Sequence, residues 1–197
     1  MLKKVIKKII NSPSVNGGKN HEKFIESELI IGGFKQTKLP KKQLRECMDN
    51  INKKQSNYKN VFVSQPFGSQ GYPDFIVFEG DGTIRAVEAK SSKADKITWN
   101  SGYPREGGIY IFSSGRYNKQ TVSLGDDLWT TEERQKQFLI RKKCEELSKE
   151  LNKEFCMKEN YNSDFYMRAM HNDSKKIYGN EDREQRENKV FETLGGQ

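Results

Sequence analysis

The stretch Gly71-Tyr-Pro-Asp-Phe-Ile-Val-Phe-Glu-Gly-Asp-Gly-Thr-Ile-Arg-Ala-Val-Glu-Ala-Lys90 decides how this chain is read. Phe75 to Phe78 is an unbroken apolar run, Gly80-Asp81-Gly82 carries turn chemistry, and Thr83 to Ala89 resumes a β-prone pattern. The economical reading is a hairpin of two strands. Side chains alternate faces along a strand, so Glu88 and Lys90 share one face, Val87 and Ala89 take the other, and Asp74 can sit opposite the charged pair. Two carboxylates and a lysine at one end of an apolar hairpin would be costly to bury as decoration. They read as a hard-metal site with an adjacent cation; a surface hairpin with a solvated ion pair is the alternative.

A carboxylate two residues before a lysine recurs at Asp173-Ser174-Lys175 and Glu187-Asn188-Lys189, but both copies sit in polar surroundings. Only the central copy lies among apolar β-runs, with an Asp at hairpin distance and a proline that helps start the first strand. Pro73-Asp74 followed by Glu88-Ala89-Lys90 resembles the signature of the PD-(D/E)XK nuclease superfamily, in particular its type II restriction endonuclease branch. The resemblance implies an α/β (α+β) fold with a mixed central β-sheet flanked by helices, built as a restriction-endonuclease-like core. It also implies that DNA is cut to leave a 5′-phosphate and a 3′-hydroxyl.

Two further segments widen the resemblance to about residues 18 to 115. Gly18-x-x-x-Glu22 through Leu29 to Gly33-Phe34 looks like the opening helix of many members, making Glu22 the candidate third acid and Glu26, one turn later, the second choice. An N-terminal acid complementing the helix dipole explains Glu22 equally well. The serine pair Ser91-Ser92 before Lys93, with Trp99-Asn100-Ser101-Gly102-Tyr103-Pro104-Arg105 preceding a strand, looks like a segment that follows the catalytic lysine in some restriction enzymes. Its Asn, Ser, Tyr, Trp and Arg side chains carry the donors that read base edges and phosphates. Ser91, Ser92, Lys93, Trp99, Asn100, Ser101, Tyr103 and Arg105 are therefore the candidate DNA contacts; stabilising a turn before Ile109 is the plainer role of Asn100 and Arg105.

At 197 residues the chain suits a single domain over 1–197, and 35 Lys and Arg against 27 Asp and Glu give a net charge of +8. That excess favours a polyanionic partner, here double-stranded DNA, because each neutralised phosphate releases counterions. No apolar run approaches the roughly 18 residues of a membrane span, and lysine pairs interrupt Met1 to Ile10, so no membrane association and a cytoplasmic location are expected. Cys47, Cys144 and Cys156 are odd in number and widely spaced, and with only two histidines a zinc site is not expected. Oxygen-only ligands suit Mg²⁺, with Mn²⁺ able to substitute. Asp74, Glu88 and the Ala89 carbonyl would hold the ion, and Lys90 would orient or help deprotonate water.

Along the rest of the chain, Leu2 to Ile10 has helical spacing with a lysine face, and Asn20 is placed to cap a second helix running to about Ile31. Pro40 starts a third, with Leu44, Cys47, Met48 and Ile51 as its stripe, and Val61 to Val63 and Ile109 to Phe112 read as further strands. Ser64 to Tyr72 is a loop whose Gly68 and Gly71 permit close backbone approach. Thr130 and Glu133 form a capping box opening a long helix to about 156, with Ile140, Cys144, Leu147, Leu151 and Phe155 as an apolar stripe that reads as core or as a dimer interface. From about residue 172 the chain is charged, and a flexible segment is expected.

The expectation is a Mg²⁺-dependent type II restriction endonuclease, acting as a homodimer alongside a methyltransferase for the same site. A junction or repair nuclease of the same superfamily and a basic DNA-binding module without catalysis are the rival readings.

Overall fold

The computed structural model of the protein describes residues 1–54, 56–100, 102–156, 167, 170–172, 177–179 and 181–195. Ser101, Arg168 and the Asp173-Ser174-Lys175 copy lie outside the described residues. The described chain is mixed α+β. Six strands form a mixed sheet in the order β1 (Lys35–Gln36), β2 (Val61–Ser64), β3 (Phe75–Phe78), β4 (Ile84–Ser92), β6 (Ile109–Ser114) and β7 (Lys119–Leu124).

The hairpin is as the apolar runs and turn residues dictate. β3 and β4 pair antiparallel from Phe75↔Val87 to Phe78↔Ile84, and Gly82 takes φ +85° in the turn, where a side chain would be strained. β4 then runs on to Ser92 and pairs in parallel with β6. Alternation splits the sheet into two faces. Phe62, Phe75, Val77, Val87, Ala89, Ile109, Ile111 and Val122 pack against helices α1 (Leu2–Ile10), α2 (Gly18–Ile31) and α6 (Arg183–Thr193). On the opposite face, Val63, Ile76, Phe78 and Ile84 bury Leu44 of α3 (Lys41–Asp49), while Tyr110 and Phe112 pack on Trp99, Leu128 and Trp129.

Four expectations change. Helix α2 begins at Gly18 rather than at an Asn20 cap: Gly17 makes the entry turn at φ +85°, and the Asn20 amide donates instead to the Asn16 carbonyl. Part of the loop after Lys90 is a strand, β5 (Thr98–Asn100), paired antiparallel with β8 (Met170–Asn172). The segment after 172 is not uniformly loose, because α6 buries Val190 completely against the sheet and carries Phe191 and Leu194 beside it. Its apolar residues are too few to stand out in composition, yet Val190 and Leu194 are spaced to share one helix face. Finally, helix α5 (Thr131–Leu151) does have its Thr130–Glu133 capping box, but Ile140 and Leu147 are 47% and 42% exposed, so its apolar stripe is not core. No helix among the described residues is long and apolar enough to cross a membrane.

Candidate active site

Asp74 and Glu88 are cross-strand neighbours one step beyond the Phe75↔Val87 pair, where the first strand of the hairpin begins. Their contacts are reciprocal: the Asp74 backbone N–H donates to Glu88 Oε2 at 3.1 Å, and the Ala89 N–H donates to Asp74 Oδ2 at 2.8 Å. Lys90, two residues on and therefore on the Glu88 face, donates from Nζ to Glu88 Oε1 at 2.6 Å. The indole of Trp99 lies 5.6 Å from the same ammonium and supports it from the aromatic side.

Helix α2 brings Glu22 to this cluster from the end of the sheet. Glu22 feels the Asp74 charge and is joined to Asp74 through Gln65. Gln65 completes the arrangement: its side-chain amide donates to Glu22 Oε2 at 2.6 Å, and its backbone N–H donates to the Asp74 carbonyl at 2.7 Å. Gln65 sits at φ +49°, an uncommon backbone state for a residue with a side chain. Nothing in the local sequence marked Gln65; the signal available was its place at the end of a strand that pairs with β3.

Burial dominates the electrostatics. It raises the proton affinity of Glu88 to a pKa of about 7, an effect that Lys90 opposes and the Asp74 charge reinforces. Asp74 is raised for the same reason, against the Ala89 hydrogen bond and Lys90, and Glu22 is raised by burial and then by Asp74. Three acids thus face Lys90, with Lys19 reaching Glu22 as well, a surplus of negative charge that an added cation would relieve. Among the described residues no group of three or more His, Cys, Asp or Glu side chains is arranged to hold an ion by itself. Asp74 and Glu88 offer two carboxylates, and one or two carboxylates completed by water and substrate phosphate is a set that Mg²⁺ takes.

The remaining candidates divide. Ser91 and Ser92 end β4 half-buried, Lys93, Asn100 and Arg105 are exposed, and Tyr103 is half-buried with Arg105 stacked 4.4 Å over its ring. Trp99 is 2% exposed and packs edge-on against Tyr110 and Trp129, so its ring belongs to the aromatic core and is not a surface contact for DNA. Strand pairing explains the correction: inside β5, Trp99 points inward while Thr98 and Asn100 point out. The Glu187 copy sits on α6, a helix and not a hairpin, where its carboxylate accepts from the Thr121 hydroxyl at 2.6 Å.

The chain matches no known protein family, no characterised protein and no solved structure. The functional reading rests on the chemistry of the site.

Proposed function

We propose that the protein is a Mg²⁺-dependent endodeoxyribonuclease of the type II restriction kind, with a restriction-endonuclease-like core, working on double-stranded DNA in the cytoplasm. The observation that carries this reading is the convergence of Asp74, Glu88 and Lys90, joined by Glu22, at one end of the hairpin. Mg²⁺ bound by Asp74, Glu88 and the Ala89 carbonyl would supply Lewis acidity and a lower water pKa. The Lys90 ammonium orients the attacking water and balances charge building on the phosphoryl oxygens. Glu22, with its raised proton affinity and an Oε1 not engaged by Gln65, accepts the proton that the water gives up. The water oxygen bonds to phosphorus, the bond to the 3′ oxygen breaks, and that oxygen takes a proton from solvent water, so that a 5′-phosphate and a 3′-hydroxyl result.

Exposed Lys93, Asn100 and Arg105, with Ser91, Ser92 and Tyr103 beside them, supply phosphate and base contacts. Cutting both strands of a symmetric site calls for two copies of this one-site chain, and a methyltransferase of matching specificity would protect the host. Digestion of a sequenced plasmid with Mg²⁺, followed by sequencing of the ends, tests the reading. Discrete bands with 5′-phosphate ends are expected. Intact DNA that is nevertheless bound would leave a DNA-binding module, and cleavage only of branched DNA would make the protein a junction or repair nuclease.

A further inference from the structure

Beside the acidic cluster lies a cavity of about 1000 Å³, open to solvent, whose lining includes two of the proposed DNA contacts, Tyr103 and Arg105. Its walls come from the end of α3 at Met48, from the loops that carry Phe67 with Tyr72 and Tyr103 with Arg105, and from α5 at Phe138. Tyr72 ties the cavity to the chemistry, because it lies two residues before Asp74 and within the field of the Glu88 carboxylate. The aromatic walls are held in place. Tyr72 stacks on Tyr110 with ring centroids 6.2 Å apart and planes inclined by 19°, and Arg105 is clamped over Tyr103 by its Nη1 hydrogen bond to the Tyr103 hydroxyl at 2.9 Å.

A cavity with several aromatic rings, apolar edges and the exposed Arg105 guanidinium suits a planar, polar ring attached to an anion, while the Arg134 guanidinium in its wall is already held by Asp126 and the Gly125 and Trp129 carbonyls. A paired base offers no such ring, since both of its faces are covered within the duplex stack. We propose that this cavity receives one unstacked nucleobase next to the scissile phosphate, with Tyr103 and Arg105 as its stacking platform. The proposal rests on the nuclease reading and narrows its substrate: the nucleotide beside the cut is unpaired when it is held. The base can come from a fork or flap where it is already unpaired, or be drawn out of a duplex at a cost of stacking and pairing that the cavity repays.

The test uses the full chain carrying Glu88→Gln, so that DNA is bound and not cut. Two probes carry 2-aminopurine: a fork labelled at the first unpaired nucleotide of its arm, and a duplex labelled beside the cut position mapped by digestion. Stacking in the cavity changes 2-aminopurine emission on binding. A change with the fork alone assigns the base to a pre-existing unpaired segment; a change with the duplex assigns it to extrusion, and either supports the cavity. Tyr103→Ala should weaken binding of the responding probe by about tenfold or more, within the range of base–aromatic stacking, and abolish the emission change. Phe138→Ala, at an exposed rim position that leaves the core untouched, should reduce both effects in part. DNA bound with no emission change from either probe, or the same change with Tyr103→Ala folded and bound, overturns this inference alone. No DNA bound by any probe overturns it together with the nuclease reading.

Discussion

Gln65 donates its side-chain amide to Glu22 Oε2 across 2.6 Å, joining positions 43 residues apart, while its own N–H holds the Asp74 carbonyl at 2.7 Å. One residue thus sets both the acid that arrives from helix α2 and the start of the strand that carries Asp74.

If that coupling matters for cleavage, Glu22 and Gln65 should act as a unit. Gln65→Ala and Glu22→Gln are each expected to slow cleavage by roughly ten- to a hundredfold with little change in DNA affinity, and the double variant should be hardly slower than the worse single one. Single-turnover rates at fixed Mg²⁺ give the comparison. Fully additive losses would mean that Gln65 does not act through Glu22.

Asp74→Asn, Glu88→Gln and Lys90→Ala should each abolish cleavage and leave most of the DNA affinity, since binding comes mainly from phosphate and base contacts elsewhere. Glu187→Gln should cost some stability through the Thr121 contact and leave cleavage intact. A fast-cutting Asp74→Asn enzyme in the same assay would sink the assignment.

Stability should depend on pH through opposed groups, with Glu88, Asp74 and Glu22 raised on one side and His21 lowered on the other. Burial holds Glu88 at a folded pKa of about 7 against 4.5 unfolded, so its penalty to folding is full above pH 7 and is relieved as pH falls towards 4.5. His21 runs the other way. Buried against Gln120 at 2.8 Å, its pKa falls from 6.5 to about 4, so stability drops as pH falls from 6.5 to 4, by about 2 kcal/mol at pH 5. In metal-free buffer Glu88→Gln should therefore raise stability near pH 8 by about 1 to 3 kcal/mol and make acidification more damaging than in the wild type. Urea denaturation at several pH values measures both; a variant less stable than wild type near pH 8 contradicts the sign.

Helix α6 belongs to the core. Val190→Asp should prevent folding, because a carboxylate would have to be buried without a partner among Leu2, Ile6 and Val122. Val190→Ala should cost about 1 to 3 kcal/mol. A Val190→Asp protein with wild-type melting would place the helix off the sheet.

Ile140 and Leu147 on α5 are exposed, and a homodimer of the proposed enzyme would be expected to cover them. Light scattering should give a dimer, free or on cognate DNA, and the Ile140→Glu, Leu147→Glu pair should give a folded monomer that nicks without cutting both strands. A monomeric wild type in both states would point to sequential nicking.

Local sequence was sufficient where one short-range force dominates. The β3–β4 hairpin follows from an apolar run, a glycine turn and strand alternation, and the same alternation puts Glu88 and Lys90 on one face with Asp74 opposite. The capping box at Thr130 and the start of α3 after Pro40 are likewise local. What lay beyond the sequence was decided by partners far along the chain. Trp99 reads as an exposed loop aromatic until β5 pairs with β8 and turns it onto Tyr110 and Trp129. The stripe on α5 reads as core or as a dimer interface because periodicity reports that a face is apolar and not what covers it. Val190 is hidden in a charged segment whose burial depends on β7 being there to receive it, and Gln65 gains its role only when sheet pairing carries it to Glu22. Strand pairing and helix docking join residues whose separation in sequence carries no periodic signal, and so the completed site is a property of the tertiary fold.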